Sequence, residues 1–309
     1  MIGIRDIASH VPTRRVSNLE RSQQAGKDEG FIRDKIGFEA LARREPGTET
    51  SDLCVAAYRE LASRPGFDPA GIDCIVVCTQ NPDAHGLPHV SAIVHGKLGL
   101  STDVASFDIS LGCSGYVYGL SVVTSFMQAN GLRSGLLFTA DPYSKILDPA
   151  DWDTELLFGD AATVTWLSAD PIYRCRPAAF GTDGSMRHSI AVPERGAPLT
   201  MLGSNVFKFS MTMVPDQVQR YLAREGLAMD DIDLVLLHQG SRFIVENLGR
   251  KLGLAPEKAP FEAGQTGNSV SSTIPLMLEP RLASPPRRVL LCGFGVGLSW
   301  TSMVIESPL

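Results

Sequence analysis

The sequence has no apolar run near the ~18 residues that a membrane-crossing helix needs, so no membrane span is expected. It has no basic stripe. Lys and Arg number 28 against 34 Asp and Glu, a net charge of −6, and no zinc-finger spacing occurs. Nucleic acid is therefore not an expected partner. The opening Met1-Ile-Gly-Ile-Arg-Asp-Ile lacks a charged segment followed by an apolar one and does not read as a signal peptide. Cysteines are few and scattered, at 54, 74, 78, 113, 175 and 292. Cys74 and Cys78 are four apart, but both lie in the strand-like residues 72–79 with no His pair following, so they read as core and not as metal ligands. No metal site is expected, and this cysteine usage points to a reducing cytoplasm.

The 309 residues, 44% of them hydrophobic, suffice for a large core, as one large domain or two similar ones. Residues 2–10, 72–78, 104–109, 135–139 and 161–167 read as strands, and 50–63 and 89–98 as helices. The pattern then restarts. Residues 206–225 and 243–252 read as helices, and 234–237, 289–291 and 298–305 as strands. The segment Gly71-Ile-Asp-Cys-Ile-Val-Val-Cys-Thr79 matches Asp231-Ile-Asp-Leu-Val-Leu-Leu-His-Gln239. Gly112-Cys-Ser114 matches Gly267-Asn-Ser269, and residues 133–139 resemble 287–293. Three matches in one order, at offsets of 160, 155 and 154, suggest a duplicated α/β unit with halves 1–168 and 169–309. Equivalent strand ends then lie side by side, and ligands of such sheets bind beyond the carboxyl ends of strands.

Cys113 sits where a strand ends and a helix begins, in Asp108-Ile-Ser-Leu-Gly-Cys-Ser-Gly-Tyr. Gly112 and Gly115 keep the turn bare enough for another group to approach. A helix start favours a thiolate, which is the nucleophilic form. A lone intracellular Cys is more often simply a small core residue; the turn position favours the nucleophile. His238 and Asn268 also follow strand-like segments or lie in the turns after them. Other groups carry no chemistry. His85, His89 and His95 lack metal spacing, and Asp141, Asp148, Asp151 and Asp153 read as a solvated loop. Gly293-Phe-Gly-Val-Gly297 looks like a phosphate loop, but a strand follows it where a helix start is needed.

Leu111-Gly-Cys-Ser-Gly115, Leu237-His-Gln239 and Gly267-Asn-Ser-Val-Ser-Ser-Thr-Ile-Pro275 together resemble the Cys, His and Asn motifs of β-ketoacyl-acyl-carrier-protein synthase III, a thiolase-like family. Residues 157–162, 203–208 and 292–300 add to the match, which runs essentially end to end. The resemblance implies an α/β fold of five layers, αβαβα, in two duplicated halves, and a homodimer. It implies that Cys113 takes an acyl group from a thioester. His238 and Asn268 then donate hydrogen bonds to the enolate formed when a malonyl thioester loses carbon dioxide, a dipole placed where charge develops. The main-chain N–H groups of Cys113 and Val296 are the implied oxyanion hole, Val296 standing where the family usually has Gly. Phe31, Lys35, Leu87, Trp152 and Phe294 fall at substrate-binding places.

Several positions depart from the family pattern. Phe31 and Trp152 occupy the places of the Trp–Arg pair that clamps coenzyme A, and Lys35 replaces an Arg, losing bidentate geometry. The primer donor can therefore be coenzyme A or the phosphopantetheine of acyl carrier protein, with no further cofactor. The carrier-docking Arg is shifted by one position to Arg242, and Lys208, Arg250 and Lys251 complete a candidate docking patch for that acidic partner. The leading reading is a decarboxylating condensing enzyme of fatty-acid initiation or a specialised pathway. The alternatives are an acyltransferase that moves the acyl group from Cys113 to an alcohol or amine, and a noncatalytic subunit of a condensing heterodimer. Retention of Cys, His and Asn argues against the last.

Overall fold

The computed structural model describes residues 1–307. Ten strands hydrogen-bond into one sheet. They are β1 Gly3–His10, β2 Cys74–Cys78, β3 Ala105–Ile109, β4 Ser134–Ala140, β5 Ala162–Ser168, β6 Tyr173–Cys175, β7 Ala179–Thr182, β8 Leu234–Leu237, β9 Arg288–Gly295 and β10 Ser299–Glu306. The longer helices are α1 Thr50–Ala62, α2 Val90–Leu98, α3 Gly115–Ala129, α4 Gly203–Arg224, α5 Arg242–Lys251 and α6 Thr273–Leu278. The order across the sheet is β8-β9-β10-β6-β1-β5-β4-β2-β3, with β7 also paired to β10. The three-residue β6 pairs with β1 on one side and β10 on the other, so it joins two half-sheets.

The continuous apolar runs form strands because both of their faces are covered. In β2, Cys74, Val76 and Cys78 face a central core shared with α3, while Ile75 and Val77 face an outer core shared with α1 and α2. In β8, Leu234 and Leu236 face the same central core, and Val235 and Leu237 face an outer core with α4 and α5. Helices α3 and α6 thus lie between the half-sheets, α1 and α2 cover one outer face, and α4 and α5 the other. These are the five layers of a thiolase-like αβαβα fold.

The matched segments occupy matched places. Strand β2 pairs parallel with β4, and β8 with β9. Asp73 accepts from the N–H groups of Arg133 and Ser134 at 2.7 and 3.0 Å, and Asp233 accepts from that of Arg288 at 2.8 Å. We infer from these pairings a duplicated unit divided at residue 168. The halves differ in two ways. Where β3 flanks β2, the N–H of Val235 in β8 donates to the carbonyl of Lys258, which belongs to no strand. The turn at Gly112 leads into a helix of 15 residues, the turn at Gly267 into one of six.

Candidate active site

Three turns converge on one cavity of ≈ 540 Å³. Cys113, His238 and Asn268 all line it, beside Phe158, Phe294 and Val296. All three are nearly sealed from solvent, at 5%, 2% and 5% exposure.

Cys113 lies in the turn between β3 and α3. Strand β9 packs directly on this turn. A β-carbon on Gly293 would come within 2.8 Å of Ser114 Cα, and one on Gly295 within 2.7 Å of the Cys113 sulfur. Only glycine allows that approach. It brings the N–H of Val296 to the thiol, which is also hydrogen-bonded by its own N–H. Sequence alone suggested that the helix start would favour a thiolate. In the structure burial wins: desolvation pushes the Cys113 thiol up to about 12, and the N–H of Val296 only partly offsets it. At pH 7 only about one thiol in 10⁵ is then ionised.

His238 follows β8, and its own N–H donates to the carbonyl of Cys292 in β9 at 2.8 Å. The next side chain, buried Gln239, donates to the carbonyl of Leu237 and accepts from the N–H of Glu262, fixing the turn. The His238 ring meets Phe294 edge-on with centroids 5.5 Å apart. Burial lowers the imidazole pKa to about 3, against the opposing pull of the Val270 carbonyl, so the ring is neutral. Its Nδ1 lies 2.8 Å from the hydroxyl of Thr273, which in turn lies 3.1 Å from the Val270 carbonyl. With its proton donated to that carbonyl, Thr273 accepts from Nδ1–H; only by turning its hydroxyl to Nδ1 does it suit the other tautomer.

Asn268 is anchored on both sides by Leu157 and Gly159, its N–H donating at 2.9 Å and its carbonyl accepting at 3.0 Å. Its Oδ1 accepts from the N–H of Val270 at 2.9 Å. That contact leaves the Nδ2 donors for the cavity. Val270 is fully buried and holds φ +56, a rare conformation for a β-branched residue. One unusual residue thus presents its N–H to Asn268 and its carbonyl to His238.

The mouth of the cavity carries Phe31, Lys35 and Trp152, together with Lys27, Phe207 and Phe243. The Lys35 ammonium sits 4.3 Å over the Phe243 ring and the Arg21 guanidinium 5.6 Å over Trp152. Leu87 is placed differently from the sequence expectation. It is 90% exposed and does not line the cavity of its own chain. Of the docking candidates, Lys208, Arg250 and Lys251 are exposed. Arg242 pairs with Glu246 at 3.6 Å and covers Phe261, and the Lys251 ammonium donates to the Met211 carbonyl. Helices α4 and α5 pack together, so these residues share one side of the molecule.

Asp141 requires a correction. It is not in a solvated loop but fully buried behind the Cys113 turn, and burial raises its carboxyl to about 6. It accepts from the N–H of Gln80 at 2.6 Å and the hydroxyl of Ser271 at 2.5 Å, joining the loops after β2 and β4 to the Asn268 turn. The sequence reading also missed Thr273, Val270 and Phe158. Thr273 could have been suspected from Ser271-Ser272-Thr273, an unusual run of hydroxyls beside Asn268. Val270 gives no sequence signal, because valine is not a residue expected at positive φ. Among the described residues, no cluster of three His, Cys, Asp or Glu side chains could hold a metal ion, and no helix is long and apolar enough to cross a membrane.

Comparison with known proteins gives a consistent result. The family model described as 3-Oxoacyl-[acyl-carrier-protein (ACP)] synthase III matches residues 107–184, and its C-terminal counterpart matches 222–307. The chain is 33% identical over 308 residues to the beta-ketoacyl-[acyl-carrier-protein] synthase III 2 of Streptomyces coelicolor, a match spanning 97% of this chain and 92% of that one. A crystal structure of a 3-oxoacyl-(acyl-carrier-protein) synthase III superposes with a TM-score of 0.93 at 33% identity, covering 99% of both chains. The priming beta-ketosynthase of a polyketide biosynthetic pathway superposes with a TM-score of 0.90 at 27% identity, covering 100% of this chain and 96% of that one.

Proposed function

From the premise that the chain belongs to the β-ketoacyl-[acyl-carrier-protein] synthase III family of acyltransferases, we propose how its residues divide the condensing reaction. The observation that carries the assignment is the convergence of Cys113, His238 and Asn268 on one buried cavity floor. In the first step the neutral His238 ring, bare at Nε2, takes the proton of the buried thiol as the sulfur attacks an acyl thioester. The N–H groups of Cys113 and Val296 hold the oxyanion. The carrier thiolate leaves with the proton from His238, and the acyl group stays on sulfur.

In the second step a malonyl thioester loses carbon dioxide, and its electron pair moves onto the thioester oxygen. Asn268 Nδ2 and His238 Nε2–H hold this enolate. Between the steps water admitted as the first carrier leaves takes the Nδ1 proton and supplies one to Nε2, and the Thr273 hydroxyl then donates to Nδ1. The enolate carbon attacks the acyl-cysteine, the C–S bond breaks, the Cys113 thiolate takes a proton from water, and a β-ketoacyl thioester is released. Asn268 is what transfer to an alcohol or amine does not need. Together with the family it disfavours that alternative.

The reading includes the setting. The substrates bring their own thioesters on coenzyme A or carrier phosphopantetheine, and the enzyme uses no other cofactor. Acyl carrier protein docks by Lys208, Arg242, Arg250 and Lys251. A homodimer is supported by the unpaired outer edge of the terminal strand β3 and by exposed apolar groups, Val122 on α3 and Phe180, whose ring lies tilted against Tyr118 of α3. In that dimer Leu87 serves a partner's cavity, which its exposure on its own chain permits. The compartment is the cytoplasm. Intact-mass analysis after incubation with acyl-coenzyme A and acyl-carrier thioesters, followed by labelled malonyl carrier, tests the reading. The expected result is acyl mass on Cys113 and release of labelled carbon dioxide. Acyl mass without carbon dioxide release overturns it.

A further inference from the structure

Ser114 stands at the N-cap of α3, where a serine hydroxyl ordinarily accepts from a main-chain N–H of the first turn. Here it makes no such bond. Its Oγ lies instead 2.7 Å from that of Ser299, the first residue of β10. Ser299 Oγ donates to the carbonyl of Val296 at 3.0 Å. With its one proton committed there, Ser299 must accept from Ser114, and the donation runs Ser114 to Ser299 to Val296. Both hydroxyls are buried, at 1% and 4% exposure, where such a chain is mutually reinforcing.

The chain ends on a loop with a catalytic duty. Val296 lies in the connection between β9 and β10, between Gly295 and Gly297, the latter at φ +135. Glycines on both sides give the backbone freedom, which the packing of Gly295 on Cys113 and the bond from the Asp183 N–H to the Leu298 carbonyl restrain at the ends of the loop. Val296 lines the cavity beside Cys113, next to the Gly295 that packs on the Cys113 side chain, and its N–H acts to lower the thiol's pKa. The N–H and the carbonyl of Val296 flank one α-carbon, so holding the carbonyl restrains where the N–H points.

We propose that Ser114 and Ser299 are positioning residues that hold the Val296 N–H on the Cys113 sulfur and, during acyl transfer, on the thioester oxyanion. The oxyanion half of this statement rests on the condensing reading above; the thiol half does not. An N-cap hydroxyl that caps nothing, next to the nucleophile, thus performs the task of aiming an oxyanion donor borne on a distant hairpin.

The test uses the full chain with Ser114→Ala, Ser299→Ala, the double variant and Ser299→Thr. Two quantities are read: the pH profile of Cys113 alkylation by iodoacetamide, which needs no thioester, and the rate of Cys113 acylation at saturating acyl thioester. In each alanine variant the alkylation profile should move to higher pH, because a hydrogen bond to the thiolate is weakened. Acylation should slow by about tenfold with KM nearly unchanged, less than the ~10²–10³ lost when an oxyanion donor is deleted. The double variant should be no worse than the slower single one, since both remove one chain, and Ser299→Thr should restore both readouts. Unchanged alkylation and acylation in Ser299→Ala overturn the proposal. So does equal slowing in Ser299→Thr and Ser299→Ala with an unmoved alkylation profile, which indicates packing alone. If Ser299→Ala loses its fold by circular dichroism, Ser114→Ala decides, because removing a hydroxyl that caps nothing spares the helix. A wild type that alkylates but never acylates fails the condensing reading and leaves the thiol half standing on the alkylation arm.

Discussion

At the floor of the cavity each polar group is held by its own buried partner, whereas at the mouth the charged groups are held by aromatic faces and by one another in water. On the floor, main-chain N–H groups meet the Cys113 sulfur, the N–H of Val270 fixes Asn268 Oδ1, and Thr273 meets His238. At the mouth, Lys27 pairs with Asp153 at 3.3 Å through side chains 30% and 77% exposed, and Lys35 lies over Phe243. Main-chain donors in a dry site cost no reorganisation and feel little salt. Long side chains in water are mobile and screened, and are worth little individually. The floor is therefore where the chemistry is fixed, and the mouth is where a carrier can be exchanged for another without disturbing it.

The comparison can be broken most severely at the nucleophile. Cys113→Ala should abolish acyl-enzyme formation and lower condensation by ~10⁴-fold or more. Acyl mass gained at the wild-type rate would refute the assignment. Next is the resting thiol. With Cys113 raised to about 12 beside a His238 lowered to about 3, the pair does not exist as thiolate and imidazolium. At pH 7 Cys113 should alkylate about 10³-fold more slowly than a thiol titrating at 9, with the rate still rising above pH 9. A rate already level at pH 7 would reveal an ion pair and show that the floor is wetter than its burial implies.

Asn268→Ala should keep acylation of Cys113 but slow release of carbon dioxide from malonyl carrier by ~10²–10³. Normal decarboxylation by this variant would return the acyltransferase alternative. The mouth and its flank should respond more mildly. Reversing Arg242 and Arg250 together should raise KM for carrier substrate by roughly fivefold and flatten its dependence on ionic strength; an unmoved KM at low salt excludes that surface. The smallest effect concerns the primer carrier. With Phe31 and Trp152 in place of an aromatic–Arg clamp, one acyl group should load Cys113 better from phosphopantetheine on carrier protein than from coenzyme A. Equal kcat/KM for the two donors would erase that distinction.

Much of this was legible in the sequence because it is local. Apolar runs such as Cys74–Cys78 can only be strands covered on both faces, and the turn Leu111-Gly-Cys-Ser-Gly115 announces a group that needs close approach. The repeat we infer rests on segments that match in composition and order. Strand β6 was not legible, because three residues of mixed character carry no period. Asp141 misled because its neighbours in sequence are polar, while its neighbours in space are Gln80 and Ser271.

By itself, then, the sequence determined the longer strands and helices and the three residue types that the chemistry requires. Tertiary structure alone decided their protonation and aim. Charge on a thiol or imidazole depends on how much water the surrounding layers exclude, and burial overrode the helix start at Cys113. The direction of a donor depends on contacts between distant turns: Thr273 to His238, and Ser299 of the β9–β10 hairpin to Ser114 in the Cys113 turn. Those contacts join residues up to 185 positions apart, and no local pattern along the chain encodes which of them will meet.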